Sequence, residues 1–128
     1  MTTMTQKLIY LALAGAAGTV ARFILAEMVV RLDGIPARWG TIVVNLTGCF
    51  LAGLAWTLFE QRWPGSAEMR LLVMVGFMGA FTTFSAIILE TSELVRAAQW
   101  MYAAGHVIAQ NGLGFAGLYV GVMIGRHI

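Results

Sequence analysis

The chain has 128 residues, 59 % of them apolar and only 11 % charged, with a net charge of +2. About 25 % charged residues is usual for a soluble domain, so this chain cannot coat a water-facing surface, and a mean hydropathy of +0.81 makes the bilayer its solvent. The positive residues form no basic run, which excludes nucleic acid as a partner. The single cysteine, Cys49, excludes an internal disulfide, and no Cys/His cluster suits a metal.

A spanning helix needs roughly 20 apolar residues at 1.5 Å each. The first candidate runs over 8–30. Its start resembles a signal peptide, with Lys7 before an apolar run and Ala12-Leu13-Ala14 as a cleavage-like site. Only Leu8 to Leu11 would remain as the apolar core, so the segment reads as a retained helix. Arg22 and Glu27 interrupt it. A guanidinium well inside a span must face water, pair or snorkel. A water-filled vestibule or a salt bridge, with Glu90 as partner, would each accommodate Arg22.

The second span covers 40–59 and has no formal charge. Asn45 and Thr47 interrupt it, and an uncharged amide can hydrogen-bond another helix or greet an anion without trapping it. The third covers 71–94 and contains Gly76-Phe77-Met78-Gly79-Ala80-Phe81-Thr82-Thr83-Phe84-Ser85. Glycine weakens a helix by about 1 kcal/mol against alanine, so these glycines predict either close packing or a break at mid-membrane. A break would free carbonyls that can coordinate a hard cation such as Na⁺, beside amides and hydroxyls that can donate to an anion.

The fourth span covers 97–125. Gly117, Gly121 and Gly125 form two consecutive GxxxG steps, with Ala109 further back at the same spacing; tight helix packing is the favoured reading. His106, Gln110 and Gly114 are again four apart, with Asn111 beside them. They predict interhelical hydrogen bonds or a polar stripe along a pathway. Short connectors hold most of the charge and both prolines, Pro36 and Pro64, while Trp39, Trp63 and Trp100 sit at helix ends as interfacial anchors do. The N-terminal tail, second connector and C-terminus carry Lys7, Arg62, Arg70 and Arg126, against Arg31, Arg38 and Arg96 on the other side. Four positive residues against three is almost no orientational bias. Weak ordinary orientation and insertion both ways up are equally compatible with it.

Taken together, Gly18-Thr19-Val20-Ala21-Arg22, Trp39-Gly40-Thr41 with Val44-Asn45-Leu46, and Gly76–Ser85 ending in Thr-Thr-Phe-Ser resemble the Fluc (CrcB) family of fluoride channels over nearly the whole chain. The resemblance implies an all-α membrane protein of four transmembrane helices. The third helix is broken, and the subunits pair as an antiparallel, dual-topology dimer in the cell inner membrane. It implies passive export of fluoride through pores at the subunit interface. A structural Na⁺ on the dimer axis would be held by the backbone carbonyls of Gly79 and Thr82. Asn45 and Phe84 would line the pore with Thr83, Ser85, Ile87 and Gln110, and Arg22 would stand in the vestibule. The positive edge of an aromatic ring can face a small hard anion, but Ile87 stands where the family's second phenylalanine belongs. Gln110 and Gly114 stand where it usually has small hydroxyl residues. These departures raise a heterodimer with a paralogous subunit, in which one pore is degraded, as the alternative to a homodimer. A small dual-topology multidrug exporter would need a carboxylate deep in its first helix, where this chain has Arg22. A non-transporting assembly subunit would need fewer buried polar residues than Asn45, Thr82 and Gln110. No nucleophile, general base or cofactor motif supports an enzyme.

Overall fold

The protein, seen here in a computed structural model, is described over residues 3–32, 34–64 and 67–128; Asp33, Gly65 and Ser66 of the connectors lie outside the described residues. Its elements are α1 (Met4–Val30), α2 (Ala37–Gln61), α3 (Ala67–Leu71), a π-helical stretch (Leu72–Phe77), α4 (Met78–Phe81), α5 (Phe84–Arg96) and α6 (Trp100–His127). The segment from α3 to α5 forms one span, so four helical segments are long and apolar enough to cross a membrane.

The helices extend past the apolar runs because local chemistry caps them. Thr3 and Gln6 form a reciprocal capping box, which starts α1 ahead of Leu8. Pro36 precedes the first turn of α2 with its fixed φ of −60°. Between α5 and α6, Ala98 takes a left-handed φ of 56° and the Gln99 N–H returns to the Leu94 carbonyl at 2.9 Å. This closes the shortest connection between spans, since only Ala97, Ala98 and Gln99 separate the two helices.

Few large side chains are buried. Ile42, Val44, Phe59, Met78, Phe81 and Leu94 form the apolar core, while Leu13, Phe23, Val75, Phe84, Met101, Phe115 and Tyr119 are all exposed. Lipid offers apolar side chains no hydrophobic incentive to pack inward, so small residues govern the contacts between helices. The α2–α6 seam is the closest of these. A Cβ on Gly121 would sit 2.1 Å from the Phe50 carbonyl oxygen, and one on Gly53 2.2 Å from that of Leu118. Gly117 and Gly125 lie against Leu46 and Thr57 on the same seam. The GxxxG face is therefore a packing face inside one subunit. It continues back through Gly114, Gln110 and His106, which are buried, while Ala109 is only half-buried.

The third span departs from the simplest reading of its glycines. Gly76 and Gly79 do not break it. Gly76 lies in the π-helical stretch, where a Cβ would meet that of Ala14 at 2.8 Å, and Gly18 of α1 approaches the Phe77 carbonyl as closely as 2.3 Å from its own Cβ position. Gly76, with Gly18 opposite, thus admits the close approach of α1. The break falls afterwards, at Thr82 (φ −84°, ψ 159°) and Thr83 (φ −146°, ψ 110°), both in extended conformation. β-Branched residues favour that conformation.

Candidate functional site

The break is held by one side chain from α2. The Thr83 N–H donates to Asn45 Oδ1 at 2.8 Å, and Asn45 Nδ2 donates to the Thr83 carbonyl at 3.1 Å. Asn45 Nδ2 also donates to Gln110 Oε1 on α6 at 3.1 Å. Asn45 and Gln110 are both buried. A buried main-chain group without a partner costs about 1–3 kcal/mol, so Asn45 makes the broken conformation affordable inside the bundle. Asn45 and Gln110 therefore do meet across helices, and Thr83 joins them, a contact 38 residues along the chain from Asn45.

The same bonds change the accounting of carbonyls. In an unbroken helix the Thr83 N–H would donate to Gly79 and the Ala86 N–H to Thr82. Here the first goes to Asn45 Oδ1 and the second to Thr83 Oγ1, at 3.3 Å, as an N-cap of α5. The carbonyls of Gly79 and Thr82 are thereby released from their helical donors. Gly79 is exposed, with no heavy atom within 4 Å of its Cβ position. Released carbonyls are the chemistry a hard cation such as Na⁺ takes, and Gly79, exposed, with Thr82, half-buried, would fit that role.

Downstream of the break, Phe84 is 74 % exposed and Ser85 is exposed, its hydroxyl 3.3 Å from that of Thr83. Ile87 is half-buried. Phe84 and Ser85 are thus open to the outside of the subunit at the first turn of α5. On the other flank a cleft of about 300 Å³ is lined by Arg22, Thr19, Phe23, Thr41, Val44 and Thr83. Arg22 is half-buried in it and leads directly to the break.

Arg22 does not pair with Glu90, which corrects the salt-bridge expectation. Glu90 has other partners: it accepts a short hydrogen bond from the Thr41 hydroxyl and lies 3.1 Å from His106 Nε2. Glu90 follows α5 toward α6, whereas Arg22 projects from α1 into the cleft. The Glu90–His106 approach had no sequence signal, because the residues lie on different helices at unrelated spacing. Among the described residues no group of three or more His, Cys, Asp or Glu could hold a metal ion. Of the remaining polar positions, Asn111 is exposed and donates to the Val107 carbonyl at 2.8 Å, while Thr47 is half-buried.

Comparison with known proteins agrees with this geometry. A family profile described as CrcB-like protein, Camphor Resistance (CrcB), matches residues 9–122. The fluoride-specific ion channel FluC of Desulforapulum autotrophicum is 54 % identical over 125 residues, covering 98 % of this chain and all of the relative. The protein of the same name from Nitrosococcus oceani is 47 % identical over the same length, again over 98 % of this chain and all of the relative. Four spans, a broken third helix clamped by Asn45, and full-length similarity to these channels place the chain in the CrcB family.

Proposed function

We propose that this chain forms a fluoride-selective passive channel that lets fluoride leave the cell across the inner membrane. The observation that carries the reading is the Asn45–Thr83 clamp. It stabilises a helix break at membrane depth and leaves hydroxyls, a phenylalanine ring and released carbonyls on an accessible flank of a lone subunit. The full-length similarity to proteins named fluoride-specific ion channels supplies the ion.

The working unit is an antiparallel dimer of subunits inserted both ways up. The open flank of each break faces its mate there, and fluoride passes near Asn45, Thr83, Phe84, Ser85, Ile87 and Gln110 after entering past Arg22. A Na⁺ ion held by the carbonyls of Gly79 and Thr82 would bind the two subunits at their axis through its charge. Ile87 favours one variation. It presents no ring edge where a second phenylalanine is expected, so a paralogous subunit that supplies one would complete a pore.

The test is reconstitution of the purified chain into liposomes, with efflux of fluoride and of chloride followed under a valinomycin-imposed potential. Rapid fluoride release with chloride retained is the expected result and shows that Ile87 is tolerated in a homodimer. Retention of both ions sinks the homodimeric channel. Flux restored only by a co-purified, similar subunit would then establish the heterodimer.

A further inference from the structure

The Asn45–Gln110 hydrogen bond has a second rung beside it. Cys49 follows Asn45 by one turn of α2, and Gly114 follows Gln110 by one turn of α6, so each pair shares a helix face. The Cys49 sulfur stands 3.4 Å from the Cβ position of Gly114, which turns it toward α6. This thiol is the single one in the chain, and it is half-buried. It opens onto a cleft of about 190 Å³ that it lines with Gln110, Asn111, Gly114, Phe115 and Leu118.

A thiol alone would be a small packing residue. Gln110 sets this one apart. Gln110 is 6 % exposed, its Oε1 accepts from Asn45 Nδ2, and its Nε2 has no hydrogen-bond partner. A buried amide donor without an acceptor is unfavourable, so Nε2 would receive an acceptor carried into the cleft. The Asn45 bond is also what ties the Gln110 amide to the clamp on Thr83. A group that fills the cleft therefore has a direct mechanical route to the helix break.

We propose that Cys49 is a covalent modification site for small, uncharged, sulfur-directed electrophiles, and that a group added there closes the anion route by displacing Gln110 from Asn45. The closing effect rests on the fluoride-conduction reading. Phe115 and Leu118 give the cleft an apolar lining, which favours an uncharged reagent over an ionic one. Methyl methanethiosulfonate is such a reagent. The Cys49 thiolate attacks its sulfenyl sulfur and forms a protein–S–S–methyl bond, while the bond from that sulfur to the sulfonyl group breaks. Methanesulfinate leaves with the bonding pair, and the thiol proton passes to water. The sulfonyl oxygens offer acceptors to Gln110 Nε2, which would stabilise the leaving group as its negative charge develops.

The experiment treats reconstituted liposomes with methyl methanethiosulfonate and then divides the sample. Intact mass of the extracted protein counts the methylthio groups, and fluoride efflux is followed on the remainder. An uncharged reagent crosses the bilayer, so it reaches copies inserted either way up. Expected are one methylthio group per chain, loss of most of the fluoride flux, and recovery of both mass and flux after dithiothreitol. Cys49→Ser is expected to conduct equally before and after treatment and to gain no mass. No labelling of the folded protein, complete labelling with undiminished flux, or equal inhibition of Cys49→Ser overturns the proposal while leaving fluoride conduction intact. Absence of flux before treatment sinks the conduction reading, and the closing effect with it.

Discussion

Asn45 carries more of this structure than any other single residue. Its amide pairs with both main-chain groups of Thr83 and with Gln110, so three polar groups depend on it. Asn45→Ala leaves buried or half-buried partners unsatisfied, at about 1–3 kcal/mol for each that is not rehydrated. The expected outcome is a loss of about 2–4 kcal/mol of stability, read as an earlier thermal unfolding in detergent, together with loss of fluoride flux in liposomes. Unchanged unfolding would show that the break stands without the clamp. At this scale the sequence was half legible. An amide inside an apolar span announces a polar role, and Asn45, Gln110 and the Thr-Thr pair were visible for that reason. Their union was not, because Asn45 and Thr83 lie 38 residues apart and no helical spacing connects them. His106 with Glu90 was hidden for the same reason.

Among the elements, α2 and α6 form the tightest pair, and its glycines are not equivalent. Gly121→Ala places a methyl group 2.1 Å from a main-chain oxygen of α2, which no side-chain adjustment relieves. Gly112 has no heavy atom within 4 Å of its Cβ position, and alanine is the better helix former by about 1 kcal/mol. Gly121→Ala is therefore expected to destabilise by about 1–3 kcal/mol, as overpacking does, and Gly112→Ala to be neutral or slightly stabilising within the subunit. Thermal unfolding followed by helical circular dichroism separates them, and equal damage from both would refute the α2–α6 seam. The GxxxG spacing announced this contact, because small residues four apart permit only a close approach. The path of the seam past Gly114 toward His106, rather than toward Ala109, depends on how two particular helices cross. The break was announced as well, but its cause was misplaced: glycine composition pointed to Gly76 and Gly79, whereas the threonines adopt the extended backbone and Gly76 receives α1.

For the molecule as a whole, the near balance of positive charge has a direct consequence. The Arg62 guanidinium donates to the Ile128 carbonyl, which joins the second connector and the C-terminus at one end, as four spans require. With four positive residues at that end against three at the other, a few added lysines decide the orientation. Three lysines placed at the N-terminus are expected to fix every copy one way up and to abolish fluoride flux when that variant is expressed alone. Co-expression with a variant carrying its extra lysines in the α1–α2 connector is expected to restore flux. Full flux from either variant alone would exclude an antiparallel working unit. The four spans were legible because length and hydropathy alone define them. A relation to a second copy is proposed only from charge balance and family resemblance, since nothing in a single chain's periodicity encodes it.

The α2–α6 seam also sets an order of events during synthesis. The second span emerges from the ribosome before the last one exists, so its closest neighbour arrives only at the end of translation. Until then Gly53 faces no Leu118, Gly48 awaits the break, and the Asn45 amide has no Gln110 to receive it. The bundle therefore completes its lock only when α6 is made. A nascent chain halted before its last helix holds α2 in the bilayer with its small-residue groove uncovered, a form that quality-control proteases can distinguish from the finished subunit.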